Sequence, residues 1–176
     1  MPPSTESFLL APHAWVPNHP TLPVLLYRGA LAADGAQDTA AQFEHLFAAH
    51  GWPPRWRDGI YDFHHYHSTA HEALGMAAGT ARLILGGPGG REITVQAGDA
   101  LLLPAGTGHC CLEADASLLV VGAYPPGQDW DLCRSEPTPA MRRRIASLPF
   151  PASDPIEGAQ GLLLRAWIPA VSRQGP

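Results

Sequence analysis

The chain has little charge, few cysteines and no long apolar run. Charged residues make up 15% of its 176 positions and the formal net charge is −5. It therefore lacks the basic face that a nucleic-acid partner normally brings. Its one basic run, Arg142-Arg143-Arg144, falls in a helical stretch, where three charges read as a solvated face. No apolar stretch approaches the roughly 18 residues that a membrane span requires. The N-terminus has no basic n-region, and Phe8-Leu9-Leu10-Ala11 is too short for a signal h-region. A soluble, cytoplasmic protein with no membrane partner is expected. The three cysteines Cys110, Cys111 and Cys133 show no CxxC spacing. Neighbours on a strand point to opposite faces, so a disulfide framework is not expected, in keeping with a reducing compartment.

What the chain has in excess is punctuation. Its 18 glycines and 19 prolines stand well above the usual combined share of roughly 12%. Many turns favour a β-rich fold over a helical bundle. A length of 176 residues suits a single domain with a real core. Its expected parts are an N-terminal extended arm and helix over 1–58, a barrel core over 59–124, and a C-terminal helix and tail over 125–176.

Six prolines before residue 24 forbid an early helix and suggest an arm laid across the chain's own barrel or a partner subunit. Val24 to Tyr27 reads as a strand. The clearest helix runs from about Asp38 to His50, with Asp38 as N-cap, Gly51 as stop and a Phe43/Leu46/Phe47 stripe. Short strands follow at Tyr61–His67, Ala73–Ala77, Thr80–Leu85, Glu92–Gln96, Ala100–Leu103, His109–Glu113 and Leu118–Tyr124. The turn Gly86-Gly87-Pro88-Gly89-Gly90 separates two of them. Such spacing predicts a small antiparallel barrel or jelly roll. A second helix is expected over Pro139–Ser147 with Thr138 as N-cap, and a final edge strand over Leu162–Trp167. Trp52, Trp56, Trp130 and Trp167 are expected outside the barrel core.

Alternation along a strand puts His65 and His67 on one face, with Tyr61 and Phe63, and turns His64 and Tyr66 away. His64 is expected to be hydrogen-bonded in packing. Two imidazoles so spaced can chelate one ion. A turn between Ser68 and Ala70 leaves either His71 or Glu72 able to face inward. Pro104-Ala105-Gly106 turns the chain to deliver His109 back into the barrel. Neutral nitrogens and a carboxylate suit one divalent ion, Fe, Mn, Ni, Co or Zn, which these ligand types do not distinguish. If His109 faces inward, so do Cys111, as a small buried residue, and Glu113. An inward carboxylate is costly unless hydrated or paired, which places Glu113 at the barrel mouth, as an acid–base candidate or in an ion pair with Arg82. Tyr61 is the other catalytic candidate, its hydroxyl lining the pocket.

Two spaced motifs carry a resemblance. The first runs Gly59, five residues, His65-Tyr66-His67, four residues, Glu72, six residues, Gly79. The second runs Gly98, five residues, Pro104-Ala105-Gly106, two residues, His109. Together they resemble the paired signatures of the cupin superfamily over residues 59–124, without insertion. The Asn that often ends the second motif is Glu113 here. The stretches Gly51-Trp52 through Ser68 and Gly122-Ala123-Tyr124-Pro125-Pro126-Gly127-Gln128 are similar to the YjlB-like small bacterial cupins. The resemblance implies an all-β cupin-type antiparallel barrel with one or two peripheral helices, and commonly a homodimer. It also implies a divalent metal held by His65, His67, Glu72 and His109, with His71 behind Glu72. A metalloenzyme acting on a small polar metabolite, dioxygenase-like or an isomerase or lyase, is one expectation. A metal-bearing module that binds or senses a small molecule without turnover is the alternative.

Overall fold

The computed structural model describes residues 3–168. In chain order its elements are β1 Ser4–Phe8, β2 Val24–Arg28, α1 Ala36–Ala49, β3 Pro54–Asp58, β4 Glu72–Ala78 and β5 Thr80–Leu85. After these come β6 Arg91–Gln96, β7 Ala100–Leu103, β8 His109–Ala114, β9 Leu119–Ala123, α2 Pro139–Ser147 and α3 Leu162–Ala166. The strands form two sheets, ordered β1-β2-β7-β4-β9-β3 and β6-β5-β8. Every pairing in both is antiparallel. The all-β jelly-roll architecture read from the turn spacing is the observed one.

Strand alternation explains why the central strands are apolar on every residue. Val24, Leu26, Leu74, Met76, Leu101, Leu103 and Val120 meet Leu83, Leu85 and Val95 in one cluster between the sheets. The alternate residues Leu25, Tyr27, Ala73, Leu102 and Val121 face outward beneath Phe43 and Phe47 of α1, together with Trp52, Leu163 and Trp167. The central strands of the larger sheet are therefore buried on both faces, which removes the polar half of the period-two pattern. Trp52 and Trp167 seal this outer layer, as expected of residues outside the barrel core.

Several boundaries follow the sequence closely. The strand over Thr80–Leu85, the strand over Ala100–Leu103 and the helix over Pro139–Ser147 have the expected limits. Thr138 Oγ1 accepts from the Met141 amide at 3.2 Å, the expected cap. Gly51 adopts φ +78° just past α1, the expected stop. The arm joins the chain's own sheet as an edge strand, because β1 pairs with β2.

Other expectations are corrected. The first helix starts at Ala36 after Gly35, which makes no side-chain cap bond, and Asp38 sits in the first turn instead. There its charge meets the positive end of the helix dipole. Tyr61–His67 is not a strand: it makes only the isolated bridges His65↔His109 and Tyr66↔Cys133. Leu162–Trp167 is helical over Leu162–Ala166, since a short leucine run does not distinguish helix from strand. Strands β1 and β3 were not anticipated; β3 opens on Pro54 at the edge of its sheet, where a missing amide is tolerated. Among the described residues no helix is long and apolar enough to cross a membrane.

Candidate metal centre

Three segments converge between the sheets. His109 opens β8, opposite Leu85 of β5. The Gly106 turn before it, at φ +85°, is closed by the Gly106 amide donating to His67 O at 2.7 Å. His65 is clamped to β8, its amide donating to His109 O at 3.2 Å and its carbonyl accepting from the His109 amide at 2.9 Å. Tyr66 makes the matching pair with Cys133 on its other side, at 3.0 and 2.9 Å. These two grips keep the alternation of residues 65–67 without a full ladder. His65 and His67 consequently turn inward, as expected, while Tyr66 packs with Ala105 and Ile145.

Glu72 starts β4 on the face shared by Leu74 and Met76. It approaches His67 Nε2 through Oε2 and His109 Nε2 through Oε1, each at 3.2 Å. All four side chains are buried, at 2–6% exposure. One ligand atom from each of His65, His67 and His109 lies within 4.8 Å of the others, a group that can hold a metal ion.

Hydrogen bonds fix which nitrogens face the centre. His65 Nδ1 lies 3.0 Å from Phe63 O and His109 Nδ1 lies 2.9 Å from Thr107 O. His67 Nδ1 is bonded to Asp131 O. A carbonyl only accepts, so each Nδ1 carries the hydrogen and each Nε2 offers a lone pair when the ring is neutral. Burial, helped by His109, pushes the His65 imidazole down to about 3, so it is neutral at ordinary pH. Burial also disfavours charge on His67, but the Glu72 carboxylate outweighs it and the net direction is up. Burial alone would raise Glu72; His67 and His109 reverse this and hold it well below the carboxylate range. Lone pairs aimed at a buried carboxylate repel it unless a proton or a cation lies between them. Glu72 Oε1 is moreover a buried oxygen with no hydrogen-bond partner. Three imidazole nitrogens, one orphaned carboxylate oxygen and fixed Nδ1 partners fit a divalent transition metal.

The remaining candidates separate cleanly. His71 faces away: its Nδ1 accepts from the Ala105 amide at 2.9 Å and its ring lies 4.9 Å from that of Trp167. Glu72, not His71, borders the cavity. Cys111 is buried in the inter-sheet cluster, as expected. Glu113 does not face inward, because β8 shifts register between Arg82 and Leu83. A bulge of this kind breaks alternation, so Glu113 is exposed and pairs with Arg82 Nη2 at 3.0 Å. The expected ion pair forms, outside the cavity. His64 is half-buried, and its Nδ1 lacks the hydrogen bond expected of it. Tyr61 does line the cavity, stacked on Phe63 at 4.7 Å and edge-on to His65 at 5.3 Å.

The cavity above the histidines measures about 560 Å³. Its lining includes Trp56, Tyr124 and Trp130, which sequence reasoning did not place there. Trp56 lies opposite Gly122 in the β3–β9 pairing, a long-range register that no local signal reveals. Tyr124 continues the inward alternation of Val120 and Gly122, a signal that was available in the β9 run.

No protein-family model matches the chain. Over 166 residues, 93% of this chain and 97% of the relative, it is 33% identical to the Bacillus subtilis (strain 168) protein named Uncharacterized protein YjlB. Among solved structures it is similar to an acireductone dioxygenase from Bacillus anthracis with cadmium ion in its active center. That pair shares 13% identity over 75% of this chain and 83% of the other, at a TM-score of 0.41. A DUF861 family protein from Thermotoga maritima shares 18% identity over 47% of this chain and 86% of its own, at a TM-score of 0.31. Both scores fall below 0.5, so neither likeness bears on this chain's chemistry.

Proposed function

Because this chain belongs to the YjlB-like cupins, we infer that it is a metalloenzyme whose divalent ion is held by His65, His67, His109 and Glu72. The observation that carries this is the convergence of three Nε2 lone pairs on a buried carboxylate at the base of an open cavity. A small molecule entering the cavity is the substrate. When bound, the metal supplies Lewis acidity toward a substrate oxygen, or an O2-binding centre if it is iron. The chain supplies the rest. The backbone carbonyls of Phe63, Asp131 and Thr107 lock the three rings in one tautomer. Tyr124 donates to Glu72 Oε2 and fixes the carboxylate. Trp130, stacked on Tyr124, shields that hydrogen bond from water. Tyr61, which lines the cavity edge-on to His65, is the candidate in this reading for exchanging a proton with a bound substrate; Glu113 pairs with Arg82 outside the cavity.

Metal analysis after aerobic and anaerobic purification, with oxygen uptake measured against a metabolite panel, tests the reaction class. Iron-loaded protein that consumes O2 with one metabolite supports a dioxygenase. Oxygen-independent turnover points to an isomerase or lyase. A tightly held zinc with no turnover of any panel member defeats the enzyme reading in favour of a binding role.

A further inference from the structure

The cavity is rich in aromatic rings, and the fixed charge of its lining is of one sign. Trp56, Tyr61, Tyr124 and Trp130 line it together with Ile60 and Leu74. Tyr124 and Trp130 are parallel, 4.5 Å apart and 7° between planes. Apart from the histidines, the ionisable carboxylates of the lining are Asp58, Asp62 and Glu72, and no lysine or arginine joins them. The sequence has no lysine at all, so only arginine could supply a fixed cation. The arginines of the flanking segments lie outside the lining, with Arg55 set over one of its rings. Arg55 binds Asp129 at 2.9 Å and lies 5.1 Å over the Trp130 ring, Arg57 is paired with Glu44, and Arg134 lies over Phe63. Asp58 and Asp62 are exposed at the mouth while Glu72 is buried at the base with an unpartnered oxygen.

An anion entering this cavity passes two carboxylates and finds no guanidinium in the lining. An organic cation finds the reverse. The two aspartates raise its local concentration, and the Trp56 and Tyr61 rings of the lining attract it through their quadrupoles. The geometry points to a small organic cation, an alkyl- or arylammonium compound, as the substrate class. This rests on the metalloenzyme reading for its chemistry, but the selecting residues are not the proposed metal ligands, so the two can be tested apart.

Metal-loaded protein and protein stripped with a chelator are each titrated by calorimetry with benzyltrimethylammonium and with benzenesulfonate. These probes share a ring, differ in charge and coordinate metals poorly. The cation is expected to bind at least about tenfold more tightly than the sulfonate in both preparations. In the Asp58→Asn/Asp62→Asn protein that preference is expected to fall below about threefold, at unchanged metal content. Asn keeps the acceptor that Asp58 offers the Gly59 amide, so the local turn survives. Equal or tighter binding of the sulfonate, or an undiminished preference in the double variant, overturns the inference. Wild-type protein that binds no metal yet selects the cation defeats only the metal reading; metal-loaded protein without selection defeats only this one.

Discussion

Tyr124 donates its hydroxyl hydrogen to Glu72 Oε2 at 2.5 Å and accepts in turn from Trp56 Nε1 at 2.9 Å. Burial foremost, then the neighbouring Glu72 charge, pushes the phenol far above its ordinary range. It is therefore a donor at every working pH, and it links the cavity wall to the carboxylate at the base. Removing such an outer partner of a metal ligand typically costs 10–100-fold in affinity. Tyr124→Phe is expected to weaken metal binding by about that factor in a chelator competition titration. Unchanged affinity would show that Glu72 is not held in place by this bond.

Gly122 makes room for the same wall. A Cβ there would lie 2.0 Å from Trp56 Cε2, closer than any side chain tolerates. Gly122→Ala is expected to cost about 1–3 kcal/mol in urea unfolding through overpacking. Displacement of Trp56 should also alter the indole fluorescence. A variant with wild-type stability and spectrum would mean that the indole moves freely.

Stability should fall in mild acid because of His19. Its Nδ1 accepts from the Thr21 and Leu22 amides, and its Nε2 meets Ile145 O at 3.1 Å. Burial, only partly offset by the Ile145 bond, lowers it to about 4. The unfolded histidine takes up a proton near 6.5. Between these values the unfolded state binds more protons, so stability rises with pH there and is lost as pH falls. The expected slope is about 1.4 kcal/mol per pH unit from this residue. His19→Asn keeps an acceptor for the Leu22 amide and should reduce the slope measured by urea unfolding between about pH 6.5 and pH 5, leaving the share of the other buried histidines. An identical slope in the variant would remove His19 as the cause.

Glu113 and Glu72 should behave as opposites. Glu113→Gln breaks an exposed pair with Arg82, and such pairs contribute little. Metal content and melting temperature should stay at wild-type values. Glu72→Gln removes the buried carboxylate between two histidines and should lower metal affinity sharply in the same titration. Metal loss on changing Glu113 would mean that it reaches the site in solution.

The sequence was most legible where local chemistry decides the outcome. The i, i+2 histidines, the turn that delivers His109, and the capped helix after Thr138 each depend on neighbours within a few residues. What escaped was set by distant partners. His65–His67 keep their orientation through single bridges to His109 and Cys133, so the right facing was inferred from a strand that does not form. Glu113 was misplaced because a register shift against β5 interrupts alternation without any mark in the β8 sequence. Trp56 and Trp130 reach the cavity through the β3–β9 pairing and the stack on Tyr124, both invisible to a local pattern.

The central claim is that His65, His67, His109 and Glu72 hold one metal ion. Elemental analysis of dialysed wild-type and His65→Ala protein tests it most directly. The expected result is about one divalent ion per wild-type chain and near-complete loss in His65→Ala. Full stoichiometry in the variant, or none in wild-type protein supplied with metal, would contradict the account.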